Sequence, residues 1–372
     1  MTRRTFLEAA GLLSAGAATC LCAQQQRNIK RKTEHIILFT SDGVRWQDLF
    51  TGIDPTLMNQ KRAGMDDAAP LEKQLWRTTP DERREALMPF FWRTLAPRGV
   101  VLGNLAKGSS MQVSNQYRVS YPAYSEILTG RTQDSVIRGN DPIQNPDPSF
   151  LQFLKNRRHL QPEQLAVFAS WDNFHFSATS QPGDITINAG YEPLRQVEDI
   201  EVRQANRLQS EARFVSDSAR HDAFTFNFAM KYLNKMQPEH LFISFDETDD
   251  WAHWRRYDRV LESLQYFDQA LNELWTYLQS SPKYSGKTTL VITTDHGRGA
   301  TLEDFSDHGS KVAGCEQIWA AFVGPDTPHQ GEAINAPGCL QRDIAPTILE
   351  LLGIDYRDYA GVAGKPIRMA LI

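Results

Sequence analysis

Residues 35–43 read HIILFTSDG, a short apolar run that ends in Ser41, Asp42 and Gly43. An uninterrupted apolar run of this length is typical of a parallel strand that is buried on both faces of a sheet. The run therefore predicts a buried strand with a carboxylate at its C-terminal end. Similar apolar runs occur further along the chain at Leu165–Ser170, Leu241–Phe245, Thr289–Thr294 and Ile318–Val323.

Helical patterns lie between these predicted strands, at Asp81–Leu95, Val202–Asn234, Asp258–Leu278 and Arg342–Leu352. Strands that alternate with helices predict an α/β fold, here a three-layer sandwich with a mostly parallel central sheet and helices on both faces. Residues 51–82 and 131–149 carry Pro, Gly, Asn and Asp without clear periodicity, so we interpret them as loop insertions and not as linkers. We predict a single domain over residues 24–372.

The composition is that of a soluble globular protein, with 41% apolar and 23% charged residues in a chain of 372. It excludes a disordered tail, a collagen-like fibre and a disulfide-dense miniprotein. The 40 basic and 45 acidic residues give a net charge of -5. A nucleic-acid binder usually has a basic excess, so no specific nucleic-acid binding is expected. No run of about 18 apolar residues exists to span a bilayer, so no transmembrane segment is expected.

The first 23 residues, MTRRTFLEAAGLLSAGAATCLCA, have the layout of a secretion signal. A basic pair, Arg3-Arg4, precedes an apolar stretch rich in Ala and Gly that ends in small residues, which indicates a twin-arginine-type signal peptide over residues 1–23. The alternative is a short amphipathic helix that packs on the domain. We therefore expect an exported protein, periplasmic or secreted. Lipid anchoring through Cys20 or Cys22 is the less favoured form, because the residues before each cysteine fit a lipidation site poorly.

The remaining cysteines and several histidines carry weaker signals. Loss of the signal would leave Cys315 and Cys339, either as one disulfide or as two separately buried thiols. Four histidines lie at element boundaries among charged or polar neighbours and are expected to be solvated: His35, His159, His221 and His240.

Carboxylates and histidines follow three of the predicted strands, at the edge of the sheet where ligands of open α/β folds bind. Asp42 follows the first strand, and the sequence DHG at 295–297 follows TLVITT. After LFISF, Asp249 and His253 are four residues apart, which places them on one face of a helix and lets them hold one metal ion. A further histidine, His308, also precedes a glycine. Each residue alone is an ordinary turn or cap residue, but together they predict a metal centre.

Residues 117–130, YRVSYPAYSEILTG, supply a candidate nucleophile. Ser120 precedes Tyr121-Pro122, and proline is favoured in the first turn of a helix, where its missing N–H is not needed. Ser120 would then lie at a helix N-terminus, where the free amides and the helix dipole favour an anion. The alternative is that Ser120 only caps the helix.

In this order and spacing the motifs resemble those of the alkaline phosphatase superfamily, which includes phosphatases, nucleotide pyrophosphatases/phosphodiesterases, phosphonate hydrolases, sulfatases and cofactor-independent phosphoglycerate mutases. The resemblance rests on Asp42, S-Y-P-x-x-x-x-I-L-T-G, D-x-x-x-H, D-H-G and H-G, and it extends from residue 35 to the helical sequence DIAPTILELLGI at 343–354. It implies two divalent metal ions, one held by Asp249, His253 and His308 and the other by Asp42, Ser120, Asp295 and His296.

The resemblance also implies hydrolysis of a small-molecule phosphate ester, a monoester or a diester, through a covalent phospho-serine at Ser120. Nitrogen and oxygen ligands with three imidazoles favour zinc, with manganese or iron as alternatives. The sequence TG-x8-GN resembles a loop of the pyrophosphatase/phosphodiesterase branch whose asparagine binds a phosphoryl oxygen, which makes Asn140 a candidate. Arg118 and Arg298 are candidates for a phosphate-binding arginine. The alternative is a sulfate ester or phosphonate hydrolase, although Tyr124 stands where the sulfatase pattern has arginine.

Overall fold

The structure, a computed structural model, describes residues 30–213 and 216–372. Its strands are β1 (His35–Ser41), β2 (Val100–Leu102), β3 (Met111–Gln112), β4 (Leu165–Ala169), β5 (Thr186–Ala189), β6 (His240–Phe245), β7 (Thr288–Thr293), β8 (Gln317–Ile318), β9 (Ala320–Val323), β10 (Gly331–Glu332) and β11 (Cys339–Leu340). In these described residues, an eight-stranded sheet has the order β10-β2-β9-β7-β1-β6-β4-β5, and a small sheet has the order β11-β3-β8. The strands from β7 to β5 run parallel, whereas β9 is antiparallel to both of its neighbours.

Helices connect the strands and lie on both faces of the large sheet. A π-helical turn spans Phe91–Leu95. The α-helices are α1 (Trp46–Thr51), α2 (Ala69–Leu75), α3 (Pro80–Leu87), α4 (Ser120–Thr129), α5 (Phe150–Arg158), α6 (Phe174–Ser177), α7 (Ile200–Glu211), α8 (Asp222–Met236), α9 (Glu247–His253), α10 (Tyr257–Ser280) and α11 (Ile344–Leu351).

The central strand β1 is apolar on both sides, which is why helices cover both faces. Its residues alternate between the two faces of the sheet. Ile37 and Phe39 pack in one core cluster with α8 and α10, while Ile36 and Leu38 pack in a second cluster with α4, α5 and α11. The predicted three-layer sandwich with a mostly parallel sheet is confirmed.

Two predicted helices are interrupted in the structure. The segment Asp81–Leu95 ends its first helix at Leu87, because Pro89 disfavours helical geometry at the residue before it. The segment Val202–Asn234 is two helices, α7 and α8, since Ala219 forms an extended bridge with Trp171 between them. The predicted insertion at 51–82 contains the short helix α2, whereas 131–149 holds no helix or strand.

The expectation that His35 and His240 are solvated is wrong, because both side chains are buried. His35 Nδ1 lies 3.0 Å from the carboxylate of Glu239. His240 Nδ1 accepts a 3.2 Å hydrogen bond from the N–H of Ile36. Burial, with a smaller contribution from the charge of Arg158, lowers the pKa of His240 to about 3, so the ring is neutral and belongs to the core.

Cys315 and Cys339 are separate buried thiols, so the disulfide alternative is wrong. The Cys315 thiol donates to the carbonyl of Gly309 at 3.0 Å. The predicted signal over residues 1–23, with Cys20 and Cys22, lies outside the described residues. In the part of the chain that the structure describes, each helix is too short or too polar to cross a membrane.

The carboxylate of Glu239 stabilises the start of β6 in a pH-dependent way. It lies 3.0 Å from His35 Nδ1 and 2.9 Å from Lys283 Nζ. The hydrogen bond with His35 outweighs partial burial and, with the Lys283 charge, lowers the pKa of Glu239 from its ordinary 4.5 to about 2. A carboxylate whose pKa is lower in the folded state stabilises the fold above its unfolded pKa, and that contribution is lost as the pH falls through the folded pKa. Glu239→Gln should therefore lower the free energy of unfolding, measured in urea at neutral pH. The difference in this free energy between the variant and wild type should shrink as the pH falls from 4.5 to about 2.

Glu303→Gln is the matched control, since it removes the same charge from the exposed pair Arg62–Glu303, 3.3 Å apart. An exposed pair of this kind contributes little to stability, so this variant should stay close to wild type at each pH. Equal losses in the two variants would contradict the role given to Glu239.

Candidate metal centre

The carboxyl ends of β6, β1 and β7 form the edge at which the candidate residues gather. These strands are neighbours in the sheet and run parallel, so their ends lie side by side. Asp42 directly follows β1, α9 begins just after β6, and Asp295 and His296 come just after β7. The strand order therefore brings together side chains that are far apart in the sequence.

Gly43 lets the backbone turn sharply after β1 and pass close to two carboxylates. Its φ is +62°, in the left-handed region. Its N–H donates a 3.0 Å hydrogen bond to Asp295 Oδ1, and a Cβ built here would lie 2.5 Å from Asp249 Oδ1. Only glycine suits both the conformation and the space.

The first group of candidate ligands is Asp249, His253 and His308, whose ligand atoms all lie within 4.8 Å of one another. Asp249 and His253 share a face of α9, as their spacing predicts, with His253 Nε2 3.1 Å from Asp249 Oδ2. His308 Nε2 lies 3.0 Å from His253 Nε2. The Nδ1 of His308 donates to the carbonyl of Arg118 at 3.2 Å, so Nε2 of the neutral ring carries no proton and can bind a cation.

The second group is Asp42, Asp295 and His296, with ligand atoms again within 4.8 Å of one another. His296 Nε2 lies 3.5 Å from Asp42 Oδ1 and 3.4 Å from Asp295 Oδ2. The Nδ1 of His296 faces the carbonyl of Gly297 at 3.0 Å and must donate to it, so the neutral ring turns an unprotonated Nε2 toward the two carboxylates. Three hydrogen-bond acceptors therefore face one another inside the protein.

These facing acceptors fit a cation. Asp42 Oδ1 and Asp295 Oδ2 are buried and have no hydrogen-bond partner among the described residues. Burial and the neighbouring carboxylates raise the pKa of Asp42 well above its ordinary range, and burial raises the pKa of Asp295 to about 7. Burial also lowers the pKa of His296, so its ring is neutral. Buried carboxylates and neutral imidazoles with unused lone pairs are a donor set that divalent transition metals bind.

Ser120 lies beside the second group, at the start of α4. Its side chain is nearly buried, and its Oγ is 3.4 Å from His296 Nε2. Ser120 is the first residue of the helix, whereas the capping position belongs to Val119, and no side-chain hydrogen bond caps α4. The alternative that Ser120 only caps the helix is therefore wrong.

Asn140 lies at the same end of α4. Its Oδ1 accepts a 2.9 Å hydrogen bond from the N–H of Tyr121, while the residue itself is exposed. Asn140 and His308 line an open cleft of about 370 Å³, whose lining also includes Arg138 and Lys311. A ligand in this cleft would contact His308 of the first group and Val119, the residue before Ser120.

Neither candidate phosphate-binding arginine points freely into the site. Arg118 donates to Glu316 at 3.0 Å. Arg298 is buried and donates to the carboxylate and, at 3.0 Å, to the carbonyl of Asp249. Burial alone would raise the pKa of Asp249, but the charges of Arg298 and His253 hold it well below its ordinary range. Arg298 thus keeps a candidate ligand ionised, a role that no motif in the sequence indicates.

Gln341 is a second supporting residue that the sequence does not reveal. It is fully buried just before α11, and its side-chain amide donates to the backbone carbonyls of Asp295 and, at 3.4 Å, Thr294. This amide holds the segment that leaves β7 and carries Asp295 and His296. A glutamine in a turn belongs to no motif, so only its contacts identify it.

Residues 196–356 match the Metalloenzyme superfamily. The 2,3-bisphosphoglycerate-independent phosphoglycerate mutase of Haloquadratum walsbyi is 25% identical over 128 residues, which are 34% of this chain and 24% of that protein. The chain therefore aligns with about a quarter of the curated relative that it matches. The family match and the two groups of ligand atoms indicate a divalent metal ion.

Solved structures share the fold over most of the chain at low sequence identity. The alkaline phosphatase PafA superposes with a TM-score of 0.58 at 11% identity, over 92% of this chain and 99% of its own. The 2-O GAG sulfatase BT1596 superposes with a TM-score of 0.57 at 14% identity, over 91% of this chain and 74% of its own. The fold and the family match therefore confirm the resemblance that the motifs predict, to the alkaline phosphatase superfamily.

Proposed function

We propose that this chain is an exported hydrolase of phosphoric esters, which holds two divalent metal ions and forms a covalent phospho-serine at Ser120. The observation that carries the proposal is the position of Ser120 Oγ, 3.4 Å from His296 Nε2 at the start of a helix that it does not cap. A nearly buried hydroxyl that faces a cation-binding set of carboxylates and imidazoles is placed to act as a nucleophile.

The residues around Ser120 supply what transfer of a phosphoryl group requires. Cations at the two groups would neutralise the buried carboxylates, favour the ionised form of the hydroxyl and stabilise the departing oxygen. The Ser120 oxygen attacks phosphorus, the ester oxygen leaves and takes up a proton as an alcohol, and the phosphoryl group stays on Ser120. Water then cleaves the phospho-serine, which restores the hydroxyl and releases phosphate from a monoester or a phosphate monoester from a diester.

Asn140 is proposed to orient the phosphoryl group. Its Oδ1 accepts from Tyr121 N–H, which leaves the two Nδ2 protons to donate toward the cleft. The donated hydrogen bonds would help to hold the oxygens of the phosphoryl group while Ser120 attacks in line.

The candidate ligands support the choice of metal, and the residue at position 124 supports the choice of ester. Three imidazoles with carboxylates favour zinc, and manganese or iron are the alternatives. Tyr124, at the position of the sulfatase arginine, is fully buried and packs against Phe174 and Phe242 in the core. No side chain from that position reaches the cleft, which favours a phosphate ester over a sulfate ester.

Export is proposed from the sequence at residues 1–23. The Arg3-Arg4 pair and the apolar stretch after it are typical of a twin-arginine signal, whose substrates cross the membrane already folded. This route suits a protein that takes up its metal in the cytoplasm.

A substrate panel with metal analysis tests the proposed function. The purified protein should contain two divalent ions per chain and hydrolyse 4-nitrophenyl phosphate or bis(4-nitrophenyl) phosphate, and a chelator should abolish turnover. Faster turnover of 4-nitrophenyl sulfate or of a phosphonate ester than of the matched phosphate would replace the proposal by its alternative. Turnover of none of these esters would exclude both.

A further inference from the structure

We propose that Asn115 is a positioning residue for the metal centre, because it fixes the backbone carbonyl that orients His308. This inference rests on the proposed metal site and adds a residue that belongs to none of its motifs. Asn115 is 2% exposed and lies in the segment that leads into α4.

The first step of the argument is the hydrogen bonding of the Asn115 side chain. Its Oδ1 accepts from the N–H of Tyr117 at 3.1 Å and from the N–H of Arg118 at 2.8 Å. Asparagine oxygens that accept from the backbone two and three residues ahead form a tight local turn. This turn determines the direction of the chain just before Ser120.

The second step is the conformation of Arg118. Its φ is +55°, a left-handed conformation that costs a non-glycine residue free energy unless surrounding contacts enforce it. In this conformation the Arg118 carbonyl accepts from His308 Nδ1 at 3.2 Å. That hydrogen bond sets the orientation of the ring and leaves Nε2 unprotonated, 3.0 Å from His253 Nε2.

The third step is the anchor of Asn115 itself, the carboxylate of Glu126 on α4. Glu126 is fully buried and accepts from the N–H of Asn115 at 2.9 Å, from its side-chain Nδ2 at 3.0 Å and from the N–H of Ser114 at 3.0 Å. The helix that begins with Ser120 is thus tied to the turn that orients His308. Groups that orient a metal-binding histidine through its other ring nitrogen affect metal affinity about 10- to 100-fold.

The experiment is a titration of metal-free protein with Co²⁺, followed by the visible absorption of the bound ion. Asn115→Ala should bind one Co²⁺ equivalent about 10- to 100-fold more weakly than wild type, and its cobalt spectrum should change. Asn145→Ala is the matched control, because Asn145 is equally buried, at 1% exposed. Its side chain donates to Ser125 and Ser177 and accepts from the N–H of Asp147, and none of these three residues binds a candidate histidine ligand. It should lose folding stability without losing Co²⁺ affinity.

A rescue variant separates positioning from general loss of structure. Glycine adopts positive φ without the cost that arginine bears, so Asn115→Ala combined with Arg118→Gly should regain part of the Co²⁺ affinity. The double variant also loses the ion pair between Arg118 and Glu316, so the single Arg118→Gly variant is measured to show how much that loss alone changes the Co²⁺ affinity. The inference would be overturned if Asn115→Ala bound Co²⁺ as tightly as wild type, or if Asn145→Ala lost as much Co²⁺ affinity as Asn115→Ala. Neither result would contradict the proposed metal centre. A wild-type chain that binds no Co²⁺ would overturn the metal centre and this inference with it.

Discussion

Replacing Ser120 with alanine is expected to reduce phosphate-ester turnover by at least about 1,000-fold, the scale of loss seen when a covalent nucleophile is removed. The reason is geometric: the hydroxyl that lies 3.4 Å from His296 Nε2 would be lost, and the hydroxyl of the next residue, Tyr121, donates to the carbonyl of Ile143 instead. Metal content should stay near wild type, because the first group is unchanged and the second keeps Asp42, Asp295 and His296. Steady-state kinetics and metal analysis on the same sample measure both quantities.

Ser125→Ala provides the control for this experiment. Ser125 lies on the same helix and is fully buried, and its Oγ accepts from Asn145 Nδ2 at 3.1 Å, away from the candidate ligands. This variant should lose stability and keep most of its turnover. Unchanged turnover in Ser120→Ala would refute the nucleophile, and a loss of metal from that variant would instead make Ser120 chiefly a ligand.

Asp249→Ala should show the second large effect, on stability as well as on activity. Asp249 joins the first group of candidate ligands and also bonds to Arg298, whose guanidinium is buried. Removing one partner of a buried ion pair leaves the other charge uncompensated, at a cost of about 3–5 kcal/mol. The metal-free variant should therefore unfold at lower denaturant than metal-free wild type.

The same variant should also lose its stabilisation by metal. An ion that binds only the folded state stabilises it by about 2.7 kcal/mol when its free concentration is 100 times its dissociation constant. Wild type should show such a shift in denaturant midpoint between chelator and added metal, and Asp249→Ala should show a smaller one. Asp250→Ala, which removes the adjacent carboxylate outside both groups, is the control. A full metal-induced shift in Asp249→Ala would rule out its place in the first group.

The parts of the fold that could be predicted from the sequence are the strands that form continuous apolar runs. HIILFTS, LFISF and TLVITT have strand length and are mostly apolar on both faces, which predicts central strands of a sheet covered on both sides. The residues after them could then be assigned to one edge, because parallel strands end together. The structure brings these residues together in two groups, and their binding of metal remains a proposal.

What could not be predicted depends on contacts between distant segments. The break between α7 and α8 follows from the pairing of Ala219 with Trp171, and no helix breaker such as proline marks it. His240 follows polar residues in the sequence and is therefore expected to be solvated, but its ring is buried and accepts a hydrogen bond from the backbone of Ile36. The left-handed conformation of Arg118 likewise depends on Asn115 and on the carboxylate that anchors it. These features are properties of the assembled tertiary structure.

The strand order β6-β1-β7 also bears on when the protein can take up metal. Asp42 is synthesised well before the two strands that pair with β1, because β6 and β7 both come far later in the sequence. A nascent chain therefore completes the second group only once His296 has left the ribosome and the first only once His308 has, and a metal site seldom exists before its fold does. Binding of metal at the two proposed groups would therefore follow the pairing of β1 with β6 and β7, and a metal-loaded chain would be one whose central sheet has already formed.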